Sequence, residues 1–408
     1  MKQELLRKYA RLIAEVGAKV QKKEEVWINA DLDQPEFVTL VVEECYKLGA
    51  SFVDVRWNFP AVGKLTYKYA SVSTLSKFRP YAKARYKYMV SKLPTMIHII
   101  SDDPDGMKGV NQAKLAKIQM KTYPKVKPFR DAMEDKYKWV IAAVPGNAWA
   151  KKVFPNLNQE EAVEALWEAI LKTTRVDDGD PVENWKKHNE FLFAQRAKLN
   201  DLNLDKLIYK SANGTDFEVS LIQDSRWCGG SDLTHDGRYY NPNLPTEEIF
   251  ISPLAGKCSG TVVATKPLSY RGELIEDFSI TFKDGSVSEV KAKKNQKLLE
   301  QMVSMDKGAA RLGEVALVPF NSPINETGIL FYNTLFDENA CCHLALGTGF
   351  PMTLKDSEHL TPKEIEEKGI NSSMIHVDFM IGSSDLSITG VTREGKEVAI
   401  FKDGTWAI

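Results

Sequence analysis

Near Leu202 the spacing of apolar residues changes from the three-and-four rhythm of helices to strict alternation. No single layer of secondary structure satisfies both periods, so the two halves must fold differently. Before this point helices and strands alternate. Leu5, Leu6, Tyr9, Leu12, Ile13 and Val16 predict a helix stopped by Gly17, and Val26–Ile28 reads as a short strand. Phe37, Leu40, Val41, Cys45 and Leu48 predict a second helix ending at Gly49, after which Val53, Val55 and Trp57 alternate with polar residues. Such a strand–helix–strand unit places its strands parallel. Met96–Ser101 and Trp139–Val144 add two short apolar strands. Asn158 and Glu161 have the spacing of a capping pair, ahead of the stripe Val163, Leu166, Trp167, Ile170 and Leu171. Asp180-Pro181 opens a further helix as cap and first residue.

After Leu202 the turns take over. Asn213-Gly214 separates Leu207–Lys210 from Phe217–Ile222, Asp284-Gly285 separates Ser279–Lys283 from Val287–Val290, and Glu394-Gly395 and Asp403-Gly404 punctuate the C-terminus. These dipeptides accept the positive φ angles of tight hairpins. The expected architecture is an α/β N-terminal domain with a parallel sheet (1–195) and a β-rich α+β C-terminal domain (196–408), hinged near Asp177–Asp180. No internal repeat or low-complexity segment interrupts it.

Composition narrows the setting. The 408 residues suffice for two or three domains, and 43% hydrophobic with 27% charged residues is the balance of a globular protein. A net charge of −1 exerts no global pull on nucleic acid or an anionic membrane. Met1–Val16 carries Lys2, Glu4, Arg7 and Lys8 and lacks the apolar core of a secretory signal. No run approaches the roughly 20 apolar residues of a membrane span. Cys45, Cys228, Cys258, Cys341 and Cys342 are odd in number and lack CxxC spacing, as expected of reduced thiols in a cytoplasmic protein. One local exception is Lys64–Lys92, with eight Lys or Arg, no Asp or Glu, and Tyr67, Tyr69, Tyr81, Tyr86 and Tyr88 interleaved. Such a stretch can track a phosphate backbone. It can equally form a solvated helical face or pair with acidic patches, and nucleic acid is not expected as a partner.

The chemistry concentrates in the second half. In Ile375-His376-Val377-Asp378-Phe379, strand geometry sends His376 and Asp378 to one side and their apolar neighbours to the other. An imidazole and a carboxylate converging this way suit a divalent metal, or form a hydrogen-bonded pair. His343 lies within the apolar run Cys341–Gly347, where on its own it fits a packed core histidine better than a ligand. Glu314 precedes a near-continuous apolar strand, where a carboxylate is expensive to bury unless it is paired. Glu248 stands at a loop-to-strand junction and alone could be a cap. Taken together, two imidazoles and three carboxylates are a set that a two-metal site requires. Rival motifs are missing: there is no GxSxG elbow, P-loop, GxGxxG after a strand or HExxH. Cys228 beside Gly229-Gly230 reads as a packed turn residue, and His98, His188, His235 and His359 have no partner pattern.

Four motifs stand in one order: Asn243-Leu244-Pro245-Thr246-Glu247-Glu248-Ile249-Phe250, Leu312-Gly313-Glu314-Val315-Ala316-Leu317-Val318-Pro319, Cys342-His343-Leu344-Ala345-Leu346-Gly347 and His376-Val377-Asp378-Phe379-Met380-Ile381-Gly382-Ser383. In these the chain resembles the thermophilic aminopeptidases of the aminopeptidase T and aminopeptidase S type, along nearly its whole length. The resemblance implies a two-domain homodimer that releases N-terminal residues from peptides bearing a free N-terminus. It also implies two divalent ions (zinc, cobalt, manganese or magnesium) on Glu248, Glu314, His343, His376 and Asp378, with attack by a metal-bound hydroxide. Glu314 would bridge the ions or act as base. One departure stands out: Phe350 occupies the position where the family carries a tyrosine that reaches the metals. The alternative is therefore a weakened or inactive relative that still binds metal or peptide.

Overall fold

The computed structural model describes residues 3–101 and 103–408; Lys2 of the N-terminal stretch lies outside them. Two compact units emerge: residues 3–187 with Ser231–Pro245, and His188–Gly230 with Thr246–Ile408.

The first unit is built on a five-stranded sheet whose neighbours are all parallel, in the order Asn243–Leu244, Trp139–Ala143, Thr95–Ile100, Glu25–Asp31, Phe52–Asn58. The strand–helix–strand reading therefore holds, with Pro35–Lys47 as the first crossover helix. The capping pair at Asn158 and Glu161 is reciprocal: Asn158 Oδ1 accepts the Glu161 N–H and Glu161 Oε2 accepts the Asn158 N–H, each at 3.0 Å. Asp180 Oδ1 accepts the Val182 N–H at 2.8 Å and starts the helix Pro181–Asp201. The core gathers Tyr9, Phe37 and Trp167, with ring centroids 5.3–6.3 Å apart. The buried Tyr9 hydroxyl donates to the Ala143 carbonyl at 3.0 Å. The basic stretch falls on helices Pro60–Tyr69, Val72–Leu75 and Pro80–Lys92, none of which has a buried residue. One long helix, Gln112–Met133, was not expected; Pro124 and Pro128 stand inside it, where proline ordinarily argues against a helix.

The second unit is antiparallel throughout its two larger sheets. One has nine strands and carries the predicted hairpins. Its Asp284-Gly285 turn has φ of 50° and 74°, the double left-handed turn that a two-residue hairpin between Lys283 and Ser286 demands. The other has five strands in the order His376–Met380, His343–Gly347, Leu312–Leu317, Ile249–Ile251, Cys228–Gly229. Its two faces divide sharply. Ile249, Ile251, Val315, Leu317, Leu344, Leu346, Val377 and Phe379 join one core cluster. Each such side chain contributes roughly 1.5–3 kcal/mol when fully buried, so a one-residue slip in any strand is prohibitive. The opposite face is thereby obliged to carry Phe250, Glu314, His343, His376 and Asp378. All five cysteines are buried and none forms a disulfide.

Candidate metal centre

Strand register places the functional groups. Ala316 lies opposite His343 and Glu314 opposite Ala345, which in turn faces Asp378, while Gly347 faces His376. A bulge between Leu312 and Glu314 sets this register, and Gly313 is required there: a Cβ would come within 2.2 Å of the Thr348 carbonyl. Glu248 enters from the segment ahead of Ile249–Ile251, on the side that Phe250 shares.

The five expected residues come together in two groups that share Glu314. Among the described residues, Glu248, Glu314 and His343 form one set and Glu314, His376 and Asp378 the other, each with donor atoms within 4.8 Å of one another. His343 Nε2 is 3.3 Å from Glu248 Oε2. His376 Nε2 is 3.1 Å from Glu314 Oε2 and 3.2 Å from Asp378 Oδ1. Each imidazole turns its other nitrogen to a carbonyl: His376 Nδ1 donates to Thr348 at 2.8 Å and His343 Nδ1 lies 3.4 Å from Cys341. That arrangement points both Nε2 atoms at the carboxylates, the orientation that metal-ligating histidines require once deprotonated.

Electrostatics show how crowded the cluster is. Burial, with the charges of Glu248 and Asp378, outweighs the His376 hydrogen bond and raises Glu314 to about 7. Burial opposes the charge on His343, but the hydrogen bond and charge of Glu248 carry it up to about 9. His376 is likewise raised, against burial, by Asp378 and Glu314. Burial would raise Asp378, yet the imidazolium charges and a hydrogen bond from Glu338 hold it at about 2. Asp378 Oδ1 is buried, with the His376 imidazole 3.2 Å away. A set of buried, mutually repelling carboxylates with two oriented imidazoles fits divalent cations: zinc takes such nitrogen and oxygen donors at roughly 2.0–2.2 Å.

Two residues of this site were not anticipated from the sequence. Glu338 hydrogen-bonds Asp378, and its carboxyl is held well above the ordinary range by burial and by the charges of Asp378, Glu248 and Glu314. Asn339, wholly buried, accepts the Glu247 N–H at 2.7 Å and donates to Leu335 at 3.0 Å, tying the Glu248 segment to the turn that carries Glu338. The only signal was a carboxylate set among buried Leu335, Phe336 and Ala340. Phe350 is partly buried, with its ring 4.8 Å from the His376 ring, and brings no oxygen to the cluster.

These protonation states make a prediction about the metal-free protein. With His343 raised to about 9, its imidazole holds near pH 7.5 a proton that a ligand must give up, so metal uptake should release at least about one proton per chain. Affinity should rise with pH and level off above about 9, where His343 is already neutral. Calorimetry in phosphate and Tris buffers measures the proton count; a value of zero would rule out the imidazoles as ligands.

Comparison with known proteins identifies the family. The thermophilic metalloprotease (M29) family matches residues 2–406. The chain is 38% identical over 403 residues to aminopeptidase AmpS of Bacillus subtilis, covering 98% of each. It is 39% identical over 404 residues to aminopeptidase 2 of Geobacillus stearothermophilus, covering 98% of this chain and 97% of the relative. The structure of wild-type AmpT from Thermus thermophilus superposes with a TM-score of 0.91 at 34% identity over 100% of both chains.

Proposed function

We propose that this chain, which belongs to the thermophilic metalloprotease family, is an aminopeptidase that releases N-terminal residues from peptides with two divalent ions. The observation that carries this reading is the membership of Glu314 in both donor groups. A carboxylate shared in this way is what two adjacent cations need between them. Glu248 and His343 would complete one site, His376 and Asp378 the other. Imidazole and carboxylate donors favour zinc, cobalt or manganese over magnesium. Ions so held would lower the pKa of a water and polarise the scissile carbonyl.

The remaining work falls to the chain. Glu338, which holds its proton, would give it to the leaving amine nitrogen as the C–N bond breaks and recover the proton released by the attacking water. A carboxyl raised by burial and neighbouring charge suits that task, because it holds the proton until the amine needs it. Asp378, ionised and next to Glu338, keeps that carboxyl turned into the cluster. Asn339 fixes the spacing between Glu338 and the Glu248 segment. We place the protein in the cytoplasm as a homodimer. Its buried, unbridged cysteines support the compartment, and no helix among the described residues is long and apolar enough to cross a membrane.

A second reading follows from Phe350, whose ring cannot donate a hydrogen bond to a developing oxyanion. Loss of one such donor typically costs about 10²–10³-fold in kcat. One experiment separates the readings: metal-stripped protein is offered a panel of aminoacyl-p-nitroanilides, with zinc, cobalt, manganese or magnesium restored singly. The expected result is metal-restored hydrolysis of unblocked substrates and none of their N-acetyl forms. Activity that emerges only in Phe350→Tyr would instead identify a catalytically lapsed relative.

A further inference from the structure

Beside the carboxylates and imidazoles stands an uncharged surface made by Phe250 and Phe350. Phe250 leaves its strand on the same side as Glu248, while its neighbours Ile249 and Ile251 are buried in the core. Its ring meets the Phe350 ring edge-on, with centroids 5.4 Å apart at 66°. Phe350 in turn lies 4.8 Å from the His376 ring. Both phenylalanines remain partly exposed, although apolar rings of this size gain by full burial.

The wall is held rigidly. The Phe350 N–H donates to Ser252 Oγ at 2.8 Å, and Ser252 is itself fully buried. Thr353 Oγ1 donates to the Phe350 carbonyl at 2.7 Å, and the Gly349 N–H donates to Asn371 at 2.8 Å. A surface fixed in advance loses little entropy when something packs on it.

We propose that Phe250 and Phe350 receive the first side chain of the peptide, so that the enzyme prefers substrates beginning with a large apolar residue. The inference rests on the aminopeptidase reading above and names its substrate class. A peptide whose amine would sit among these carboxylates projects its first side chain within a few ångströms of that amine, and these rings offer an apolar partner there. An aliphatic side chain gains by covering them, whereas a carboxylate or ammonium would lose water without a hydrogen-bonding partner. Even one methylene in an apolar site changes kcat/KM about 10- to 200-fold.

The test compares leucyl-, alanyl-, glutamyl- and lysyl-p-nitroanilide on the metal-loaded wild type and on Phe250→Ala, Phe250→Leu and Phe350→Ala. Competitive binding of free leucine against glycine is measured alongside. The wild type should favour leucyl over alanyl substrate by at least about tenfold. That ratio should fall toward one in the alanine variants through a raised KM, with leucine binding weakened in parallel, and Phe250→Leu should retain most of it. A wild-type ratio near one overturns the proposal, as does a preference for the charged substrates or a ratio that survives both alanine substitutions. Failure to cleave any unblocked substrate with any metal would instead bring down the aminopeptidase reading.

Discussion

Replacing Glu314 with glutamine is expected to lower kcat/KM by at least about 10³-fold and to reduce bound metal from two ions per chain to one or none. The size of the effect follows from position. Glu314 is 3% exposed and lies on a strand buried along its whole length, so no water can stand in for its missing charge. It also belongs to both donor groups, whereas Asp378 belongs to only one. Glutamine keeps the volume and an oxygen for His376, so folding should be little affected. Removing a carboxylate already raised to about 7 also relieves repulsion from Glu248 and Asp378. The metal-free variant should therefore unfold at or above the temperature of the metal-free wild type. Asp378→Asn provides the control and should lose one ion only. Elemental analysis of gel-filtered protein, run beside kinetics, reads both quantities. Retention of two ions with less than tenfold loss of rate would sink the shared-ligand assignment.

Chelation should separate the two units in a melting experiment. The cluster sits wholly within the unit formed by His188–Gly230 and Thr246–Ile408. An ion bound to the native state alone stabilises it by about 2.7 kcal/mol when present at a hundred times its Kd. For a unit of roughly 150–250 residues this corresponds to about 5–10 °C in Tm. Stripping the metal should lower one calorimetric transition by that amount and leave a second unmoved, because the other unit contributes no donor to either group. The metal-free transition should also respond to pH. His343 has a folded pKa raised to about 9, so its stabilising contribution is complete below its unfolded value near 6.5 and is lost as pH rises through 9. With metal bound, the imidazoles are neutral and that dependence should vanish. A Tm unchanged by chelation, in protein shown to have lost its metal, would mean that the ions are held by exposed groups and not by this cluster.

Much of this protein is legible from local pattern. The alternation of Val377 and Phe379 with His376 and Asp378 determined which side of the strand each would take, because the core accepts only one face. The Asn-Gly and Asp-Gly turns announced the hairpins, and the Asn158–Glu161 spacing announced a helix start, since each depends on residues only two or three apart. Gln112–Met133 escaped notice for the converse reason: its two prolines speak against a helix locally, and its few buried positions provide no clear apolar stripe. Nor does any short-range signal mark Ser231–Pro245, which returns to the first unit to add the two-residue strand Asn243–Leu244 beside Trp139–Ala143.

The candidate site divides along the same line. Its five candidate ligands were named residue by residue through ordered motifs, each short enough to be read within one strand. Their convergence into two groups with Glu314 in common is a matter of pairing between strands far apart in sequence, tuned by one bulge at Gly313. Glu338, Asn339 and the Phe250–Phe350 wall likewise arise from contacts between distant segments. Sequence by itself determined which side chains are available and which way each strand must face, because burial of the alternate residues is a local demand. Only the tertiary structure decided which of those side chains meet, because register between strands is set by the packing of the whole core.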